Sequence, residues 1–250
     1  MTVMIIIANW KAYVEDLGRA KALAAASKRL ARGTANTLVL AVPMPFLGAL
    51  AAGNSSGVAF AAQDVSSTTG GAKTGEATAQ ACASAGATFT IIGHSERRAA
   101  GDTDACVAAK LSHALACGLT PVLCVGEKER DREGAYLSTI REEITSAFAP
   151  LTQKERMRVI IAYEPLWAIG KTAASAIRPS DLTEMALYIR KVLAELLPGK
   201  NASRVPVLYG GAVEPESARD LAGATSIDGF LVGHASVDER TFAALVKELS

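Results

Sequence analysis

Eight short, β-rich apolar runs recur along this chain, and their number constrains the fold more than any other feature. They are Met4–Ala8, Thr37–Val42, Val58–Ala62, Phe89–Ile92, Pro121–Val125, Val159–Tyr163, Val205–Tyr209 and Gly229–Val232. Each is near-continuously apolar rather than alternating, as strands buried on both faces of a parallel sheet must be. Helical periodicity fills the gaps between them. Leu182, Met185, Ala186, Ile189, Leu193 and Leu196 fall on one stripe, with Ser180 placed to cap it and Pro198-Gly199 to end it. Leu137, Ile140, Ile144 and Phe148 make a second stripe, and Phe242, Leu245, Val246 and Leu249 a third, preceded by a capping-box spacing of Ser236 and Glu239. Eight strand–helix units in 250 residues have the size and rhythm of a single-domain (β/α)8 barrel spanning residues 1–250. A doubly wound open sheet is the rival. Eight units rather than five or six, and no G-x-G-x-x-G after the first strand, favour the barrel.

Composition removes several function classes. Half the residues are hydrophobic, enough for a sizeable core, and the formal net charge is +1. Near-neutrality argues against an electrostatic nucleic-acid or membrane-surface partner. The four cysteines, Cys82, Cys106, Cys117 and Cys124, form no C-x-x-C pair and no zinc spacing with histidine. So few in a chain this long predict free thiols and a cytoplasmic setting. No apolar run approaches a membrane span, and Met4–Ala8 is too short for a signal core.

In a barrel, chemistry gathers at the C-terminal ends of the strands. The first run ends in Asn9-Trp10-Lys11, the fourth in Gly93-His94-Ser95-Glu96-Arg97, and the sixth in Glu164 followed at once by Pro165. Taken singly, Lys11 fits a strand-end lysine reaching for water, His94 a satisfied structural histidine, and Glu164 a plain strand-end charge. His113 lies in a helical stretch and reads as structural. Together, Lys11, His94 and Glu164 converge on one barrel mouth. A base, a polarising donor and a cation are the set that moves a proton next to a carbonyl. The stretch after Glu164, through Leu166-Trp167-Ala168-Ile169-Gly170, reads as an apolar lid able to dry the carboxylate and raise its proton affinity. Glycines follow the seventh run (Gly210-Gly211) and the eighth (Gly233). There, backbone N–H groups can approach a phosphate.

These motifs have a family pattern. Ala8-Asn9-Trp10-Lys11, Ala61-Ala62-Gln63, Thr74-Gly75-Glu76, Ile92 to Arg98, Leu123 to Glu127, Ala162 to Gly170, Tyr209-Gly210-Gly211 and Asp228 to Gly233 occur in this order and spacing. Over essentially its full length the chain resembles triosephosphate isomerase. The resemblance implies interconversion of dihydroxyacetone phosphate and D-glyceraldehyde 3-phosphate through a cis-enediolate, without metal or cofactor. Glu164 is then the base, His94 the neutral electrophile and Lys11 the electrostatic stabiliser. This family is itself the standard illustration of a histidine kept neutral by a helix N-terminus. Asn9 orients oxygens, and Gly170, Ala212, Gly233 and His234 hold the phosphate. Ser95, Glu96 and Tyr209 support the site, and Pro165 to about Thr172 forms the closing lid. The resemblance also implies a homodimer. The Gly70 to Glu76 loop inserts into the second subunit, Thr74 buttresses the partner's site, and Arg97 pairs with the partner's Glu76. An ion pair of Asp228 with Arg190 is implied near the phosphate end.

Four positions depart from the family pattern. Lys171-Thr172-Ala173 follows the lid glycine, Ala212 stands where a serine is usual, His234 replaces a second glycine, and Tyr13 replaces an asparagine. The His234 imidazole either meets the phosphate or points to solvent. The altered lid motivates a second reading, an isomerase of a longer ketose phosphate such as a tetrulose phosphate. A third, from another class, is a non-catalytic phosphosugar-binding barrel.

Overall fold

In a computed structural model of the chain, all eight predicted runs are strands of one sheet. The structure describes residues 3–131, 133–168, 177–223 and 226–250. The strands are β1 (Ile5–Asn9), β2 (Thr37–Val42), β3 (Val58–Ala62), β4 (Phe89–Ile92), β5 (Thr120–Val125), β6 (Ile160–Tyr163), β7 (Val207–Tyr209) and β8 (Gly229–Val232). They pair in parallel in chain order, and β8 returns to β1 with Ile7 opposite Leu231, so the barrel closes without an edge. The helices are α1 (Leu17–Ala31), α2 (Leu47–Ala51), α3 (Ala79–Ser84), α4 (Ser95–Ala99), α5 (Asp104–Ala116), α6 (Ala135–Phe148), α7 (Gln153–Arg156), α8 (Pro179–Leu196), α9 (Pro215–Gly223) and α10 (Glu239–Glu248). Among the described residues, no helix is long and apolar enough to cross a membrane.

The two-residue period of a strand divides the core in two. Ile7, Val39, Ala41, Ala61, Ile91, Val122, Cys124, Ile160, Ala162, Leu208 and Leu231 pack together as the barrel interior. The intervening residues, Ile6, Ala8, Leu38, Leu40, Phe60 and Phe230 among them, join the helix stripes in an outer shell. Of the predicted stripes, Leu182, Met185, Ala186, Ile189 and Leu193 of α8 are buried, as are Ile140, Ile144 and Phe148 of α6. Interior parity continues into the mouth. Asn9, Gln63, Gly93, Gly126, Glu164, Gly210 and Gly233 each lie two residues beyond an interior residue, which aims them at the barrel axis.

Three local expectations are corrected. Helix α8 begins with Pro179 at its first position and Arg178 as N-cap, so Ser180 lies inside the first turn. The fixed φ of proline and its missing N–H suit that position. Helix α10 is capped by Asp238, which accepts from Thr241 N at 2.8 Å, while Ser236 Oγ donates to Gly233 O at 2.6 Å in the turn His234–Val237. Arg190 does pair with Asp228 (2.9 Å), but not near the phosphate end. Asp228 precedes β8, and its carbonyl accepts from Ile5 N at the start of β1. The pair therefore lies at the N-terminal end of the barrel, opposite the mouth.

Candidate active site

The sharp turn after β4 builds the centre of the mouth. Gly93 has φ +74°, and a Cβ there would stand 3.2 Å from the Cys124 carbonyl oxygen, so only glycine makes this turn without strain. His94 then becomes the N-cap of α4, and its Nδ1 accepts from Glu96 N at 3.2 Å. A ring nitrogen that accepts a backbone N–H carries no proton, so the imidazole is held as the neutral Nε2–H tautomer. Nε2 lies 3.2 Å from Glu164 Oε1 and is its donor. Ser95 N donates to the other carboxylate oxygen, Oε2, at 3.1 Å.

Glu164 is 2 % exposed, and none of the cations among the described residues is paired with it. Two glycines admit it. A Cβ at Gly210 would stand 2.8 Å from Glu164 Cγ, and one at Gly126 would overlap the Glu164 carbonyl. Cys124 is buried beside it. Burial, with the adjacent Glu164, holds that thiol well above its usual range, so it stays a neutral neighbour.

Lys11 arrives from β1 in strained backbone. Its φ of +45° makes it the one non-glycine residue in the left-handed region among those described. Such a conformation costs about 1–3 kcal/mol and clusters at functional sites. Lys11 N donates to Asn9 Oδ1 (3.1 Å), and Gln63 Nε2 donates to the Lys11 carbonyl (2.9 Å), so the surroundings hold the turn. Among the described residues, Asn9 is engaged through its Oδ1, which leaves its amide nitrogen to donate. Lys11 Nζ meets Glu96 Oε1 at 2.7 Å, which steadies the ammonium at the rim.

Asn9, Lys11, His94, Glu164, Ala212, Gly233 and His234 line one cavity of about 370 Å³, with Tyr13, Gly210 and Gly211. His234 is exposed, and its ring meets the Tyr13 ring edge-on at 6.1 Å, so two of the family departures touch each other across the rim. Tyr209 lies beneath the floor. Its hydroxyl would stand 2.2 Å from a Cβ at Gly211, and among the described residues it has no hydrogen-bond partner. Gly170 and the rest of the expected lid from Ile169 to Thr172 lie outside the described residues.

On the far side of Glu164 a second cavity of about 380 Å³ is lined by Ser95, Arg98, Cys124, Glu127 and Glu143. Burial pushes the Glu143 carboxyl up to about 7, against the pull of Arg98 and of Gly126 N, which donates to it at 2.9 Å. Glu127, 1 % exposed, accepts three bonds on one oxygen, from Tyr163 OH (2.7 Å), Trp167 Nε1 (2.8 Å) and Arg130 Nε (3.0 Å). Glu127 ends one of the family motifs, Leu123 to Glu127, but the sequence does not reveal this cluster. Nothing in the spacing of Arg130, Tyr163 and Trp167 marks them as neighbours.

The loop Gly70 to Glu76, expected to insert into a second subunit, is wholly exposed, with glycines 70, 71 and 75 at positive φ. Arg97, expected to reach a partner, is engaged within the chain by Asp64 (2.9 Å) and Asp102 (3.5 Å).

Comparison with known proteins agrees with this geometry. The family model described as triosephosphate isomerase matches residues 4–249. A triosephosphate isomerase of Cupriavidus necator is 39% identical over 247 residues, covering 96% of this chain and 97% of its own. Those of Alkalilimnicola ehrlichii and Corynebacterium diphtheriae are each 36% identical over 250 residues, covering 97% and 96% of this chain and 96% and 95% of their own. By sequence over nearly its whole length and by its closed eight-stranded barrel, the chain belongs to the triosephosphate isomerase family.

Proposed function

We propose that this protein is an intramolecular aldose–ketose isomerase that interconverts dihydroxyacetone phosphate and D-glyceraldehyde 3-phosphate. The observation that carries the reading is the tautomer of His94. With Nδ1 committed to Glu96 N, its Nε2–H faces the cavity beside the Glu164 carboxylate.

Glu164 removes a proton from the hydroxymethyl carbon of the ketose. The electron pair moves to the neighbouring carbonyl, whose oxygen becomes the enediolate oxygen. His94 Nε2–H and Lys11 Nζ meet that charge, and Asn9 adds an amide donor. The remaining hydroxyl proton passes to the former carbonyl oxygen by way of His94 Nε2, and Glu164 returns its proton to the adjacent carbon, giving the aldose. In the resting arrangement His94 donates to Glu164. A substrate carbonyl that takes over this N–H frees Oε1 to act as base. General-base catalysis contributes roughly 10²–10⁴-fold, and each well-aimed donor to the developing oxyanion about 10²–10³-fold more. Both are needed for a stabilised carbanion. Backbone N–H groups around Ala212, Gly233 and His234, together with Gly170, receive the phosphate.

The protein acts as a homodimer in this reading, with the exposed Gly70 to Glu76 loop seated in a second copy. A sedimenting monomer at micromolar concentration, fully active, would remove that part. Turnover of triose phosphate against a tetrulose phosphate tests the substrate. A higher kcat/KM for the four-carbon ketose overturns the triose assignment, and anion binding without turnover of either sugar overturns catalysis.

A further inference from the structure

Residues on either side of Glu164 are tied to one arginine. Tyr163, just before the base, accepts on its hydroxyl from Arg130 Nη2 at 3.0 Å. Trp167, three residues after it, lies against the same guanidinium, whose carbon is 5.1 Å from the ring centroid. The Tyr136 ring stands 5.2 Å away, so the guanidinium has a second aromatic neighbour. Arg130 Nε also donates to Glu127 Oε1, the oxygen that already receives Tyr163 OH and Trp167 Nε1. Leu166 N donates to the Glu127 carbonyl at 3.0 Å, which fixes the backbone between Pro165 and Trp167. Among the described residues, Arg130 is the only cation paired with this buried carboxylate.

We propose that Arg130 is a positioning residue. It clips Tyr163 and Trp167 together through Glu127, and so holds the segment Tyr163–Trp167 that presents Glu164 to the substrate. The inference rests on Glu164 being the base. A lysine cannot replace it, because a point charge lacks the planar fork that reaches Glu127 and Tyr163 at once while stacking on an indole. Removing the guanidinium leaves Glu127 buried without its counter-charge, and the carboxylate then protonates or shifts, releasing Trp167 and Tyr163. Arg130 itself is one-fifth exposed, so a small cation can reach its place from solvent.

The test is Arg130→Ala, with Arg130→Met, which keeps the stem, should the alanine variant fail to fold. Steady-state kinetics with dihydroxyacetone phosphate are expected to show kcat lowered about 10–100-fold, the cost of misplacing a catalytic group by roughly an ångström. KM should stay within threefold, on the order of the change left when binding contacts are intact. Methylguanidinium at millimolar concentration should restore part of kcat without raising the thermal midpoint, and methylammonium should not. A folded Arg130 variant with wild-type kcat overturns the inference, as does a loss confined to KM or one that methylguanidinium leaves unchanged. Glu164→Gln is run alongside. Wild-type turnover there removes the base assignment itself, whereas an inactive Glu164→Gln beside a fully active Arg130→Met removes only the clip.

Discussion

Glu127 and Glu164 leave adjacent strand ends, and both are almost wholly buried, yet they are held in opposite ways. Glu127 is bonded to a guanidinium, a phenol and an indole, all on one oxygen. Among the described residues Glu164 is held by neutral groups, with the Ser95 amide on one oxygen, His94 Nε2–H on the other and the Cys124 thiol beside it. A buried carboxylate paired with a cation is costly to disturb, whereas one held by neutral donors is released by any ligand that competes for them. The first is therefore built to anchor, and the second is free to move as the proposed mechanism requires. The same contrast separates the barrel's two ends. At the N-terminal end Asp228 is committed to Arg190 and to Val207 N (2.7 Å). At the mouth Lys11 keeps a strained backbone and, among the described residues, pairs only with Glu96, which is largely exposed.

The hardest way to break this comparison is Glu164→Gln, which keeps shape and removes basicity. Turnover should fall about 10³–10⁴-fold with the circular dichroism spectrum unchanged, and activity within tenfold of wild type would show that the neutral-donor site holds no base. Next comes His94→Leu, whose side chain has no donor. Loss of the Nε2–H donor should lower kcat about 10²–10³-fold, with binding of a phosphoglycolate-type anion less affected, as isothermal titration can check. Gly210→Ala asks whether Glu164 needs its clearance. The added methyl meets Glu164 Cγ at 2.8 Å, and displacement of the carboxylate should lower kcat about 10–100-fold; an unchanged kcat would mean that the base has room to spare.

The smallest expected effect concerns stability and a third buried carboxylate. Glu143 titrates at about 7 in the fold, raised from 4.5 by burial. A raised carboxyl favours the folded state fully below its unfolded value, and that contribution is lost as pH rises through 7. Glu143→Gln keeps an acceptor for Gly126 N and does not titrate. Its stability relative to wild type should therefore rise by about 1–3 kcal/mol between pH 4.5 and 8, measured by urea unfolding. A pH-independent difference would break the assignment.

Much of the barrel and of its mouth was legible in the chain. Lys11, His94 and Glu164 were readable because each ends an apolar run, and parity along a strand carries the interior direction into the mouth. Capping was less legible. Ser180 and Ser236 look like caps in isolation, but Pro179 and Asp238 begin the helices, since proline's fixed φ and a carboxylate's reach outcompete a nearby hydroxyl there. The Arg190–Asp228 pair, which the resemblance implies near the phosphate end, lies at the other end because Asp228 stands just before β8 rather than after it.

By itself, then, the order of apolar runs and strand-end polar residues determined a closed eight-stranded barrel and which side chains face its mouth. Both depend on periodicities of two and 3.6 residues that any local window contains. Tertiary structure alone decided the His94 tautomer, the clearance that Gly126 and Gly210 leave for Glu164, and the joining of Arg130, Glu127, Tyr163 and Trp167. Each is a matter of a few ångströms between atoms brought together by folding, and no sequence spacing encodes such distances.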